Sequence, residues 1–499
     1  KATRFVAILY LKRAAPNSFA PSVVLSRWIP PDLLEQEEVW GADLFCGPAV
    51  HILLGKGDRV SLKDLCGKCF EGWRVSTNPE ASDYDERIGR TPIYRQVNLE
   101  EMRFKLDLKH WESPNVEVEN EEWCVQPGDV VLNKLVPIRA ALVTDRTYRH
   151  PVDANCLLIR GLDRIESAWV AFCLNQVPYE AYLTQHQGLA VLPRASLREL
   201  RQLRLPPPPE SMRRLSEAFW ILNDAYLETE ERIVRAMGEV EEYIQEDLQK
   251  LESREERLTH GDLGTGRFLP AEAIEDSLLP THVESAYRRR QLRKILQWQP
   301  IAKLSIMDGN NRERLNQNLG EIPYLRLSDV EQDLMVKPVE PMPVTQATRI
   351  YKRPLGKGEV LLSTFAGNPS VAFIDKGLEE KVYVTDHWAR LRFTETPAAW
   401  ALVLNSKPIQ QQMQGLAMGT IQQFIYADRL QRLLLPEVEK DLRHRWEEVV
   451  LNHHQRKREL DHKWQAVWQE TQQVFNEVHE LPNRQKQRSW ALSSRGGDL

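Results

Sequence analysis

No apolar run in the 499 residues approaches the roughly 20 that a helical membrane span needs, so a bilayer-spanning protein is excluded from the outset. Cysteine is scarce. Of the six cysteines, none falls in the second half of the chain, which excludes a disulfide framework shared across the molecule. The opening apolar stretch Phe5 to Leu11 is short and lacks a small-residue cleavage site, so no secretory signal is read there. Free thiols in a reducing cytoplasm are the expectation. Positive charge is not in excess either: the formal net charge is -5, against a uniformly basic nucleic-acid coat. That balance is uneven, because the long polar segments are dense in Glu while Arg349, Lys352, Arg353 and Lys357 cluster before a glycine-led strand. Also missing are an Asn-Pro-Pro-Tyr element, a glycine-rich nucleotide loop and a Walker lysine. Methyl transfer or nucleotide hydrolysis by this chain itself is therefore not expected. His387 beside Asp386 reads as a strand-edge pair, not as a catalytic base.

Cys46, His51, Cys66 and Cys69 form the one grouping with metal-ligand spacing, a Cys-x4-His pair followed by Cys-x-x-Cys. Two readings stand side by side: a zinc site, or buried cysteines beside an unrelated surface histidine.

What the chain does have is itself, twice, at a period of about 230 residues. Gly128 to Asn133 (GDVVLN) answers to Gly358 to Ser363 (GEVLLS), Tyr94 to Tyr324, and Leu174-Asn175 to Leu404-Asn405. Leu200, Leu203, Leu205 and Pro206 answer to Leu430, Leu433, Leu435 and Pro436. Each copy closes on proline and is followed by a charged helical stretch. The organisation read from this is an N-terminal extension (1–57), a first globular copy (58–209), a first long helix (210–256) and a connector (257–297). A second copy (298–436), a second long helix (437–481) and a flexible tail (482–499) complete it.

In the first helix Leu215, Phe219, Leu222, Tyr226, Thr229, Ile233, Ala236, Val240 and Ile244 step by fours and threes, the seam of a helix that wants a partner. In the second, Leu442, Trp446, Val449, His453, Leu460, Val467, Thr471, Val474, Val478 and Leu481 do nearly the same, with Arg456 or Lys457 breaking the seam. Pairing of the two helices is the simplest way to cover both. Inside the copies, β-rich runs bounded by turn residues predict strands at Val116 to Val118, Val130 to Leu132, Ala141 to Val143 and Cys156 to Ile159. The second copy predicts them at Glu359 to Leu362, Val371 to Ile374, Lys381 to Val384 and Ala389 to Phe393. Helices are predicted at Ala168 to Gln176 and Ala398 to Gln414.

Read in order, Asp308-Gly309-Asn310-Asn311, Ile322 to Arg326, Gly358 to Ser363 with Gly367-Asn368, and Gly419-Thr420-Ile421 before Leu430 to Pro436 form a series. That series resembles the target-recognition domain of type I restriction-modification specificity subunits. The resemblance covers about residues 58 to 480. It implies an α+β chain: two tandem mixed α/β target-recognition domains separated by two long helices that form an antiparallel coiled coil. It further implies sequence-specific reading of double-stranded DNA, each domain reading half of a split target. Methyltransferase subunits would dock on the helices, a motor or nuclease restriction subunit would be a further partner, and S-adenosylmethionine would be bound by the methyltransferase, with no cofactor on this chain. The departures are Asn311 where the family often has His, no Gly-Thr turn at Leu135-Val136-Pro137, and only a loose match at Gly188-Leu189-Ala190. The first copy is thus a divergent reader, and a related anti-phage defence complex fits equally. The alternative is a non-enzymatic coiled-coil scaffold binding protein or RNA.

Base edges in the major groove are read by Arg on guanine and by Asn or Gln on adenine, while other basic groups hold phosphates. Such groups crowd loop-like stretches in both copies. The candidates are Arg74, Asn78, Arg87, Arg90, Arg95 and Gln96 in the first, and Asn310, Asn311, Arg312, Arg314, Asn316, Gln317, Arg326, Lys352 and Arg353 in the second.

Overall fold

The computed structural model describes residues 10–11, 24–25, 59–73, 93–106, 121–184, 194–259, 289, 292–293, 296–307, 321–343, 350–351, 353–365, 367, 369–376, 381–418 and 423–479. The chain divides into two compact units, Lys1–Glu228 with Glu459–Leu499, and Thr229–Arg458. Two long helices, Met212–Thr259 and Lys440–Val478, each contribute to both units. Among the described residues no helix is long and apolar enough to cross a membrane.

In the first unit a four-stranded antiparallel sheet runs in the order Lys68–Glu71, Cys156–Arg160, Val130–Asn133, Ala140–Leu142. Its middle strands are apolar up to their last residues, Asn133 and Arg160; helix Arg164–Leu174 covers one face and the chain around Met102 lies against the Ala140–Leu142 edge, and every residue of Val130–Asn133 is buried. That helix begins at Arg164 because Asp163 accepts from the Ile165 and Glu166 amides while Glu166 accepts from the Asp163 amide, a capping box that the expected start at Ala168 passed over. A further helix, Val177–Thr184, had no sequence expectation.

The second unit repeats the strand order: Ser305–Met307, Trp388–Phe393, Val360–Ser363, Val371–Phe373, again antiparallel. Alternation is legible here. Val360, Leu362, Val371 and Phe373 pack toward helix Pro397–Asn405, while Leu361, Ala372, Ile374 and Trp388 form a separate core on the opposite face. That second core is shared with a small sheet of Pro341–Pro343, Glu321–Leu325 and Tyr383–Val384, the last pair parallel.

The single helix expected over Ala398 to Gln414 is two, Pro397–Asn405 and Lys407–Leu416, broken at Ser406 with ψ 146°. Pro408 is the reason: it has no amide hydrogen to give to the preceding turn, and its ring would clash with the carbonyl of Leu404 in a continuous helix. The strand expected at Val116 to Val118 lies outside the described residues.

All nine seam residues expected in the first long helix, Leu215 to Ile244, are buried. Leu215, Phe219, Leu222 and Tyr226 are covered within the first unit and Thr229, Ile233, Ala236, Val240 and Ile244 within the second. In the first unit Trp464 meets Phe219 and Tyr226 edge-on, Tyr226 donates to Asp461 at 2.5 Å, and Arg214 pairs with Glu470. In the second unit Arg445 pairs with Glu239 at 2.9 Å and Tyr243 donates to the Glu437 carbonyl at 2.8 Å. Of the two residues expected to break the second seam, Lys457 is the buried one and Arg456 is exposed.

Candidate nucleic-acid interface

Both globular units carry one structural device just before the repeated glycine strand. Gly128 (φ 92°) and Gly358 (φ 81°) occupy the left-handed region, where a Cβ is strained, so each strand starts from a turn that glycine alone makes cheaply. The residue after each glycine is a buried acid. In the first unit Asp129 is held by the Arg160 guanidinium (Nη2–Oδ2 2.6 Å), and Arg160 also donates to the carbonyls of Glu122 and Cys124 at 3.0 and 2.7 Å. Burial pushes the Asp129 carboxyl up even against Arg160. In the second unit Glu359 is held by Arg390 (2.6 Å), which donates to the carbonyls of Arg353 and Pro354 at 2.6 and 3.0 Å.

The device is repeated with a shift. Ile159 pairs with Val130 and leaves Arg160 beside Asp129, whereas Leu391 pairs with Val360 and places Arg392 in that position. Glutamate reaches one methylene further than aspartate, and Glu359 takes both, Arg390 and also Arg392 at 3.2 Å, as well as Arg353. Three guanidiniums thus share one carboxylate. Arg390 is sealed at 2 % exposure, while the Arg353 and Arg392 side chains are 47 % and 42 % exposed. The outcome is a basic patch on the surface, anchored from below. Arg353 was among the sequence candidates; Arg390 and Arg392 were missed, though their i, i+2 spacing in a predicted strand marks them as sharing a face.

A second repeated device carries two more candidates. Arg95 and Arg326 each cap a 3₁₀ turn, Gln96–Asn98 and Leu327–Asp329. The third turn residue reaches back: Asn98 accepts from the Arg95 amide and Asp329 from the Arg326 amide, both at 2.8 Å. The Arg326 guanidinium also forks onto Asp329 (2.8 Å) and stays 37 % exposed. Gln96 lies in the first turn with its side-chain oxygen buried and lacking a hydrogen-bond partner. In the second unit Tyr383–Val384 brings the Arg326 and Arg353 segments to its two sides. It pairs with Tyr324-Leu325 in parallel, Val384 accepts from the Tyr351 amide, and the adjoining Val382 carbonyl accepts from the Leu355 amide, each at 2.8 Å. Arg74, Asn78, Arg87, Arg90, Asn310, Asn311, Arg312, Arg314, Asn316, Gln317 and Lys352 lie outside the described residues.

Beyond the glycine strand, Phe365 meets Phe424 edge-on at 5.7 Å and His387 stacks on Phe424 at 5.9 Å, so His387 packs as an aromatic. Of the zinc candidates, Cys46 and His51 are outside the described residues, and Cys66 and Cys69 are buried with their sulfurs 3.0 Å apart. The contact pulls the Cys66 thiol down and, with burial, pushes Cys69 up.

Each unit docks a turn on the long helices, and the two do so with opposite chemistry. Met102 (φ 66°) and Leu334 (φ 70°) mark the turns. In the first unit Arg103 lies 4.0 Å from the Tyr226 ring and 6.0 Å from that of Trp464. In the second unit the turn is acidic and the helix basic. Asp333 meets His453 at 2.9 Å and Lys457 at 2.5 Å, and Lys457 also pairs with Glu331. Nearby, Asp375 pairs with Arg458 at 2.5 Å. Burial alone would raise Asp333 and Asp375 and lower Lys457. The opposite charges outweigh it, holding both carboxyls well below the usual range and the ammonium above its own.

No family model matches the chain, and no curated protein matches it. Among solved structures it is similar to a type I restriction-modification S subunit from M. genitalium, with 10 % identity, TM-score 0.35, and 86 % of this chain and 97 % of that one covered. It is similar also to an HsdS subunit from Thermoanaerobacter tengcongensis, with 14 % identity, TM-score 0.23 and coverage of 88 % and 97 %. A third similar chain comes from a study of complex assembly and conformational transition of the type I R-M system, with 14 % identity, TM-score 0.24 and coverage of 88 % and 98 %.

Proposed function

We propose that this chain is the DNA-recognition subunit of a type I restriction-modification system or a related anti-phage defence complex. It has no catalytic role of its own. Each unit reads one half of a split double-stranded target, and the long helices, taken together as an antiparallel pair, dock methyltransferase subunits that bring S-adenosylmethionine. One observation carries the reading: the two units repeat the same strand order, the same buried acid–arginine clamp and the same arginine-capped turn. Two similar platforms in one chain suit a target with two similar halves. The order of the family-like elements from Asp308 to Pro436 supports DNA as that target.

In the second unit we assign DNA contact to the partly exposed Arg326, Arg353 and Arg392, and base reading to the Asn- and Arg-rich stretch from Asn310 to Gln317, which holds the residue types that reading needs. The test is retention of random-sequence duplex at graded salt. A reader loses affinity along a linear log–log salt dependence, and a protein scaffold shows no such retention.

A further inference from the structure

In the first unit, Cys66 and Cys69 are a pair of nucleophilic side chains that DNA reading does not use. Cys66 closes helix Leu62–Leu65, its amide bonded to the Leu62 carbonyl at 3.0 Å. Cys69 lies in Lys68–Glu71, the edge strand of the four-stranded sheet, and is fixed there by pairing with Ile159. With both ends of the turn held, the two sulfurs stand 3.0 Å apart, about 1 Å beyond the roughly 2.05 Å of a covalent disulfide. Position separates this pair from other thiols of the same unit. Cys156 and Cys173 are sealed at 0 % exposure in the core, and burial pushes both thiols up. Gly67 and Lys68, which separate Cys66 from Cys69, are exposed, so the pair lies directly beneath a surface turn.

The pair is also asymmetric. The Cys69 thiol, as donor, favours a thiolate on Cys66; backbone amides and the Arg201 guanidinium act in the same direction, and together they outweigh burial. Arg201 is fixed beside the sulfurs by its 2.7 Å bond to the Cys69 carbonyl. The same contact, then burial, push the Cys69 thiol up. One sulfur is thus prepared to attack and its neighbour, still carrying a proton, is within reach of whatever the first one forms.

We propose that Cys66 and Cys69 form a reversible dithiol and disulfide site whose oxidant is a hydroperoxide. The Cys66 thiolate attacks a peroxide oxygen, giving a sulfenic acid and a hydroxide that takes up the proton the Cys66 thiol had released. The Cys69 sulfur then attacks the sulfenic sulfur: the S–S bond forms, the S–O bond breaks, and the leaving hydroxide departs as water with the Cys69 proton. Both thiols are oxidised, one peroxide is reduced to water, and a dithiol reductant reverses the step by exchange. The site goes beyond the DNA-reading function and stands independently of it. The experiment treats the reduced full chain with hydrogen peroxide and maps its cysteines by alkylation and peptide mass spectrometry, for wild type, Cys66→Ser, Cys69→Ser and Cys69→Ala. Wild type should yield a Cys66 to Cys69 crosslink that dithiothreitol reverses, with Cys156 and Cys173 left free. Cys69→Ser, which keeps a hydrogen-bond donor, should accumulate a sulfenic acid on Cys66 that dimedone traps. Cys69→Ala, which has no donor there, should form it at least about threefold more slowly. Cys66→Ser should leave Cys69 unlabelled. The proposal is overturned if peroxide leaves both thiols free, if it yields sulfinic acid without a crosslink, or if dimedone labels Cys69 in Cys66→Ser as fast as Cys66 in Cys69→Ser. One firmly bound zinc per chain that shields both cysteines from peroxide would make them metal ligands and overturn it as well. Should circular dichroism show the variants unfolded, the wild-type crosslink map decides by itself.

Discussion

Glu359 is the side chain on which the second unit most depends. It is 3 % exposed and holds three arginines, of which Arg390 is itself sealed. Removing its charge in Glu359→Gln leaves a buried guanidinium without a counter-ion, and we expect a loss of about 3 kcal/mol or more in urea unfolding. A loss under about 0.5 kcal/mol, typical of surface positions, would show that the clamp does not hold the strand start. The Asp375 carboxyl is held low by His454 and Arg458 against its burial, so its contribution is present above the ordinary Asp value of about 3.9 and is lost as pH falls through the lower folded value. Asp375→Asn should therefore be less stable than wild type at neutral pH, the two converging in acid; a constant gap across pH would contradict the assignment. For DNA, replacing Arg312 and Arg314 together with Ala should weaken binding to one half-site only. Equal weakening on all sequences would mark both as phosphate contacts.

The long helices were the most readable elements, because a seam of nine residues is a strong periodic signal and burial follows it from Leu215 to Ile244. Central strands such as Val130–Asn133 were readable as apolar runs for the same reason. The Pro408 break was written in the sequence, although Ala398 to Gln414 reads as one helix with a Gln-rich polar face. What could not be read was partnership across distance. Nothing local distinguishes Arg390, which is buried on Glu359, from an exposed strand arginine, and nothing local chooses Lys457 over Arg456 as the residue inside the seam. The acidic turn at Glu331 and Asp333 makes that choice. Lys457→Met, which leaves both acids without their cation, should accordingly destabilise the second unit by about 3 kcal/mol, and Arg456→Met by less than about 0.5, both read from urea midpoints. Similar losses from the two would place the break elsewhere.

Duplication is the feature on which the functional reading rests. A chain with two like platforms, each built on an acid–arginine clamp and an arginine-capped turn, is suited to a target in two parts. The most direct measurement is selection of bound sequences from a pool of random duplex DNA at graded salt, with the full chain alone and with proteins that co-purify from its native cells. The reading predicts a bipartite sequence, an adenine methyltransferase among the co-purifying proteins, and loss of one half of the selected sequence when Arg312 and Arg314 are replaced. Absence of salt-dependent retention, with no methyltransferase recovered, would contradict it.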